Sequence, residues 1–539
     1  MLLVVCVGEP FSNSDHSMVN FELVLTPHEY FNYDQSVMYD FDNCNVDAIE
    51  QALLYHPFNV SVPDGSADDA WAQFIGPVYD IINEYVPKKP RPSVRKQSRF
   101  NRYPRHIRRA MSRKSSMWRA YRRDKTLDSK TAYLNQTQVC KSLIFEHERS
   151  KELQLINKSH VGAFYRYVNR RMSASSGVGP LKSADNGIVT EDGKKAELLN
   201  DYFSSVSVLD DGGLPAFARR VPENVFLGKV SVSRESILKF IYKCKPGTSP
   251  GPDKIPVVFL KQFRFSLVEP LFVLFTYFAS CGHIPAEWKL ANVTPIFKKG
   301  IASDVTNYRP ISLTSVFCKL FERIVQDDML TYLLSNKLIS SQQHGFLSKH
   351  STCTQLLEVV NDWSIALRNR HTVDVVYFDI SKAFDTVSHS KLIHKLSAYG
   401  LCDELLSITT DFITDRFQRV VLPTGSSTWS KLTSGVPQGS VLGPLLFLLY
   451  VNDIVDLFMD NISIKMFADD IKIYMELDSN SQTAAFQKGI DSVADWARKW
   501  QLKLAVNKCQ HMRVSLRKPA RTADYLLDGS VLPTVMSYK

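Results

Sequence analysis

The chain has 539 residues, 44% of them hydrophobic and 22% charged, with a net charge of +10. Such a length corresponds to roughly three or four domains, and the apolar share suits a large packed core. Nine cysteines, at 6, 44, 140, 244, 281, 318, 353, 402 and 509, form no C-x-x-C pair, which argues against a disulfide framework or zinc knuckle and for a reducing compartment. Because Met1-Leu2-Leu3-Val4-Val5-Cys6-Val7 lacks a basic flank and no run of about 18 uncharged apolar residues occurs, neither a signal peptide nor a membrane span is predicted.

In chain order, residues 1–30 alternate like strands around a polar turn. Residues 31–104 read as a linker with short helices, punctuated by Pro57, Pro63-Asp64-Gly65 and a proline-rich stretch from Pro87 to Pro92. Overlapping it, residues 88–125 hold sixteen Lys/Arg against the single acid Asp124, a local +15 that leaves −5 for the other 501 residues. Phe100, Tyr103, Trp118 and Tyr121 are interleaved with these cations, a composition suited to phosphate neutralisation and base stacking. A charge run alone is more often a solvated helix face. From 105 to 175 the pattern is helical and charged, and it closes on the small-residue break Ser173-Ala174-Ser175-Ser176-Gly177, which predicts a boundary near 175.

Residues 176–255 read as a short α/β extension. Gly187-Ile188-Val189-Thr190 is a predicted strand, 194–206 a predicted helix carrying Leu198, Leu199, Tyr202 and Phe203, and Lys245-Pro246-Gly247 through Asp253 a Pro/Gly loop. An apolar helix pair spans 254–281, and beyond it strands and helices alternate through about 515, the pattern of an α/β (α+β) domain. The most apolar stretches, 270–281 and 441–451, read as buried helices.

The chemistry concentrates in three places. Val375-Val376-Tyr377-Phe378-Asp379-Ile380 is a β-branched and aromatic run ending in a carboxylate. Past it, Ser381-Lys382-Ala383-Phe384-Asp385 leaves the strand, and a helix is predicted over 388–399 with Gly400 as its stop. Gly435-Val436-Pro437-Gln438-Gly439-Ser440 is a glycine-bounded loop opening a helix at 441–452; such a helix start lets backbone approach a nucleotide, with Gln438 facing it. Met466 through Tyr474 consists of two alternating apolar runs broken by Asp469-Asp470, the layout of a strand-turn-strand. Each piece alone is weak, since an Asp-Asp pair is usually a turn former. Together and in this order they predict Asp379, Asp469 and Asp470 converging, with the Ile380 carbonyl, on two Mg²⁺ or Mn²⁺ ions, because hard cations take oxygen ligands and in-line attack on a triphosphate develops charge at both ends of the reacting bond.

These blocks resemble the reverse transcriptases of non-LTR, LINE-type retrotransposons, most closely the jockey-like group, over about 240–515. Phe467-Ala468-Asp469-Asp470 looks like the family's F/Y-x-D-D box, Tyr377 through Asp385 like its first catalytic motif, and Gly435 through Phe447 like its template and nucleotide loop. The resemblance implies a right-hand polymerase palm and fingers (256–539) behind a basic helical extension (105–175), copying template RNA from a DNA primer with deoxynucleoside triphosphates. It also implies that Phe384 is the gate against ribonucleotides, that Lys298 and Arg309 in the finger hairpin hold the triphosphate, and that Lys508 protonates the leaving pyrophosphate. Gly247 through Pro256 and Ser341-Gln342-Gln343-His344-Gly345-Phe346 resemble blocks lining the template path. The family usually places an arginine after the latter, where Leu347-Ser348-Lys349-His350 stand here.

By the same resemblance, Ser12-Asn13-Ser14-Asp15-His16-Ser17-Met18-Val19 looks like the closing strand of an apurinic-type endonuclease, so that residues 1–30 are a remnant of that domain with Asp15 and His16 as relics, and the chain is expected to stop before a thumb. An inactive fragment that keeps only RNA binding is the alternative expectation. Localisation is left open between a cytoplasmic ribonucleoprotein and the nucleus, since a basic run serves either RNA or nuclear import.

Overall fold

A computed structural model describes residues 2–10, 17–23, 37–58, 66–90, 103–157, 177–183, 185–458, 461–477, 480–516 and 524–537. The chain divides into two units, one of Met1–Asn45 and Glu84–Ser175, the other of Val46–Asn83 and Ser176–Lys539. In the smaller unit, strands Leu2–Pro10 and Ser17–Leu23 pair antiparallel. Asp15 and His16, between them, lie outside the described residues. Helices Arg105–Asp124 and Leu127–Asn157 fold back on each other through Lys125, which takes the left-handed φ of 51°. Contact is made by few groups: Ile107 and Cys140 are buried, Trp118 lies 5.0 Å from Tyr133, and Gln136 donates to the Ala110 carbonyl. Most of the Arg/Lys face of the first helix remains in solvent.

The larger unit is built on two sheets. In the first, strands run in the order Ile462–Phe467, Asp470–Leu477, Thr372–Asp379, Gln510–Val514, Thr534–Val535; all neighbours are antiparallel except the last pair. Val373 and Val375 on one face pack with Tyr474 and Met512 against Val359 and Ala366 of helix Thr352–Arg368. That helix starts on a Ser351–Thr354 capping box. Helix Leu442–Val451 is apolar all round and almost wholly buried, as a helix surrounded by protein must be.

The second sheet runs Gly425–Ser426, Phe417–Leu422, Leu290–Phe297, Tyr308–Leu313. Leu199 and Phe203 of helix Asp192–Ser205 pack onto its Val293, Tyr308, Val420 and Leu422.

Residues 46–83 correct the linker expectation. Helices Val46–Tyr55 and Ala67–Tyr85 form there, and the second buries Trp71, Phe74, Val78 and Ile82 at helical spacing. Trp71 and Phe74 meet Phe317 edge-on, Trp71 meets Trp288, and the Trp71 indole donates to Glu287 at 2.6 Å. Turn-forming residues on both sides, and Gly76-Pro77 within, disguise the helix in the sequence; burial of its aromatic stripe outweighs the proline. Among the described residues one helix, Arg264–Cys281, is long and apolar enough to cross a membrane. Its Phe275 and Phe278 pack on Trp288 and Phe321.

Candidate active site

Strand Thr372–Asp379 ends with Asp379 directly opposite Asp470, the first residue of the neighbouring strand. Cross-strand partners share a face, so the two carboxylates rise on the same side of the sheet. Phe467 pairs with Asp470 across the hairpin, leaving Ala468 and Asp469 as a two-residue turn in which Ala468 adopts a φ of 57°. Asp379 is fixed from its other side: its carbonyl accepts from Ala505 N–H, its N–H donates to Cys509 Sγ, and Ser381 N–H donates to the Lys503 carbonyl, which clamps Ile380 between two bonded neighbours.

The electrostatics follow from this crowding. Loss of hydration raises the Asp469 carboxyl, the turn backbone lowers it, and repulsion from Asp379 raises it further, against attraction from Arg309 and Lys298. Asp470 is raised in the same direction by desolvation and then by Asp469 and Asp379, although much of its surface still meets solvent. Lys298 is lowered by burial and by the nearby cations Arg309 and Lys508. The two cations of the second sheet therefore face the acids of the first. Lys298 N–H donates to the Asn307 carbonyl at the mouth of the hairpin, where Ile296 pairs with Arg309.

Lys508 Nζ stands 3.1 Å from Asp379 Oδ1. With the Asp379 carboxylate turned to that ammonium, no three His, Cys, Asp or Glu side chains among the described residues are gathered tightly enough to enclose an ion. Asp379 and Asp470 stand opposite each other, with Asp469 at the adjoining turn. Phe384 is stacked on Phe447, ring centres 4.5 Å apart, and meets Phe346 edge-on at 6.0 Å.

Gln438 and its loop are tied into the surrounding protein. The Gln438 amide donates to Asp385 Oδ1 at 2.9 Å, and the helix N-terminus behind it is already occupied: the buried Glu322 carboxylate accepts from Val441 and Leu442 N–H at 2.6 and 2.9 Å. That helix start satisfies a buried protein carboxylate. The glycines serve loop packing. Gly439, at a φ of 118°, sits where a Cβ would come within 2.5 Å of the Ser312 carbonyl, and Gly435, at 91°, lies against the Phe384–Asp385 backbone. Ser312 N–H donates to the Gln438 carbonyl, tying the loop to the second sheet.

Sequence reasoning missed the supporting residues. Gln343, Asp385, Glu322 and Cys509 each touch a motif residue, but their partners lie 53 to 130 positions away. The block at 341–346, expected along the template path, runs beside the acid hairpin: Met466 N–H donates to the Gln342 carbonyl and His344 N–H to that of Met466. His350, where the family places its basic turn, lies with its ring centre 5.0 Å from that of His344.

Residues 296–526 match the protein family described as reverse transcriptase (RNA-dependent DNA polymerase). The RNA-directed DNA polymerase from mobile element jockey of Drosophila melanogaster is 28% identical over 55% of this chain and 33% of its own length. The probable RNA-directed DNA polymerase from transposon BS of the same fly is 27% identical over 55% and 34%. The Pol polyprotein of a type-1 retrotransposable element R2 from Popillia japonica is 30% identical over 40% and 29%. This chain spans about a third of the length of these curated relatives. A structure of telomerase from Candida tropicalis aligns over 45% of this chain and 43% of its own at 12% identity and a TM-score of 0.32, too loose to carry an argument. Over these segments the chain is similar to RNA-directed DNA polymerases of mobile elements, those of jockey and BS among them.

Proposed function

We propose that this protein is an RNA-directed DNA polymerase of a non-LTR retrotransposon that extends a DNA 3′ end along template RNA. The observation that carries the reading is the register of Asp379 against Asp470, with Asp469 at the adjoining turn and Lys298 and Arg309 opposite. We read the first sheet as the palm and the second as the fingers. The donor set fits divalent metal: carboxylates raised by burial and then by mutual repulsion gain from a cation among them, and Asp379 already attracts the Lys508 ammonium. Asp379, Asp469 and Asp470, with the Ile380 carbonyl, would hold two Mg²⁺ or Mn²⁺, which supply stabilisation of charge on the attacking and leaving oxygens.

The other roles belong to the chain itself. Lys298 and Arg309 bind the triphosphate of the incoming deoxynucleotide by charge-assisted hydrogen bonds. Phe384, held by stacking on Phe447, presents a rigid ring to the sugar and disfavours a 2′-hydroxyl. Gln438, with its amide nitrogen turned to Asp385, leaves its carbonyl oxygen as the group facing the nucleotide. Lys508 carries the proton for the leaving pyrophosphate. Helix Arg105–Asp124, with eight Arg/Lys against one acid, binds RNA phosphates.

Primer extension on an RNA template tests this directly. Metal-dependent synthesis that Asp469→Asn abolishes is the expected result; RNA binding with no extension in the wild type would instead mark the chain as an inactive RNA-binding form.

A further inference from the structure

We propose that Gln343 is a positioning residue that holds the Ala468–Asp469 turn in its left-handed conformation; this rests on the polymerase reading only for its effect on rate. The turn needs such support. Alanine at a φ of 57° is in a region that L-residues other than Gly, Asn and Asp enter rarely, so the hairpin does not favour this shape by itself. Gln343 Oε1 accepts two backbone hydrogen bonds, from Ala468 N–H at 2.9 Å and from Gly345 N–H at 2.7 Å. One carbonyl thereby ties the turn to the neighbouring segment, which pairs with the hairpin at Met466.

The approach is close enough to exclude a side chain at residue 345. A Cβ on Gly345 would lie 2.4 Å from Ala468 N and 3.0 Å from Gln343 Oε1. Gln343 itself is 1% exposed, and its Nε2 has no hydrogen-bond partner among the described residues. A packing role would be met better by leucine or methionine, which fill the same space without an unmet donor. The residue is therefore present for its carbonyl. Fixing Ala468 fixes Asp469, whose carboxylate must keep its place relative to Asp379 across the sheet.

Two readouts separate this role from packing and from the polymerase reading. In metal-free protein, Gln343→Met should speed amide exchange at Ala468 and Gly345 by at least about tenfold, while Gln343→Glu, which keeps an acceptor oxygen, should stay near wild type. In primer extension, Gln343→Met should lower kcat by about tenfold or more with little change in KM for template-primer, as expected for a misplaced catalytic group. With Ala468→Gly in the background, where a left-handed φ is free of strain, the same substitution should lose much less. Unchanged exchange at Ala468 in Gln343→Met, or equal kcat losses in the two backgrounds, would overturn the proposal. Absence of extension in the wild type would count against the polymerase reading alone, because the exchange arm still decides the clamp. Should Gln343→Met not fold, Gln343→Asn, one methylene too short to reach both amides, serves the same comparison.

Discussion

The Asp385 residue is only partly buried, but its carboxyl is cut off from water, and that burial raises its pKa to about 6 against the pull of Lys382 and the Gln438 amide. A carboxyl raised in the folded state binds a proton that the unfolded chain has already released, so its contribution favours folding at low pH and is lost as pH rises from the ordinary 3.8 through about 6. Asp385→Asn should therefore gain stability relative to wild type between pH 4 and pH 7, read as the shift in urea midpoint at the two ends of that range; parallel midpoints would refute the assignment. Asp469 is raised for related reasons, burial and then Asp379. Asp469→Asn should melt higher than wild type at pH 7 in chelator, while its extension rate falls by about a thousandfold or more. Opposite effects on stability and rate are the mark of a charge kept for chemistry.

At the scale of elements, the joints between motifs are held by buried charge. Lys395, on helix His389–Ala398, is fully buried; it pairs with Asp453, lies 3.5 Å from the centre of the Trp500 ring, and has its pKa lowered to about 8 by burial, against Asp453. Asp453 also accepts from the Trp496 indole at 3.0 Å. Three elements, the helix, the turn after Val451 and the helix ending in Lys499, meet on that ion pair. Removing one partner strands the other charge, so Lys395→Met should cost about 3–5 kcal/mol, whereas Lys395→Met with Asp453→Asn should cost clearly less than the sum of the single changes. Denaturant melts of the three variants check this. Glu322 plays the corresponding part for the 435–440 loop, since its carboxylate caps the helix that the loop opens.

For the whole molecule, the chain order of the units is interrupted: 46–83 fold with 176–539, while 84–175 belong to the other unit. A fragment of 176–539 alone would uncover the faces of Trp288 and Phe317 that Trp71 and Phe74 occupy. That fragment should elute as aggregate and bind a hydrophobic dye, and joining 46–83 back through a flexible linker should restore a discrete species. Equal behaviour of the two fragments in size-exclusion chromatography would show that helix Ala67–Tyr85 is dispensable.

Local pattern in the sequence determined the strand runs around Asp379 and Asp469 and the helices at 389–398 and 442–451, and placed the break between the runs at Asp469-Asp470, one residue past the Ala468-Asp469 turn that forms, because a period of two or an unbroken apolar run is written in neighbouring residues. The same pattern failed at 67–85, where flanking turn formers and an internal Gly-Pro masked an aromatic stripe whose partners lie more than 200 residues away. Only the tertiary structure decided the pairing of Asp379 with Asp470, the contact of Gln343 with Ala468, the capping of helix Leu442–Val451 by Glu322, and the turn of Gln438 toward Asp385. Each of those is a contact between groups remote in sequence, fixed by register and burial, and no local propensity encodes it.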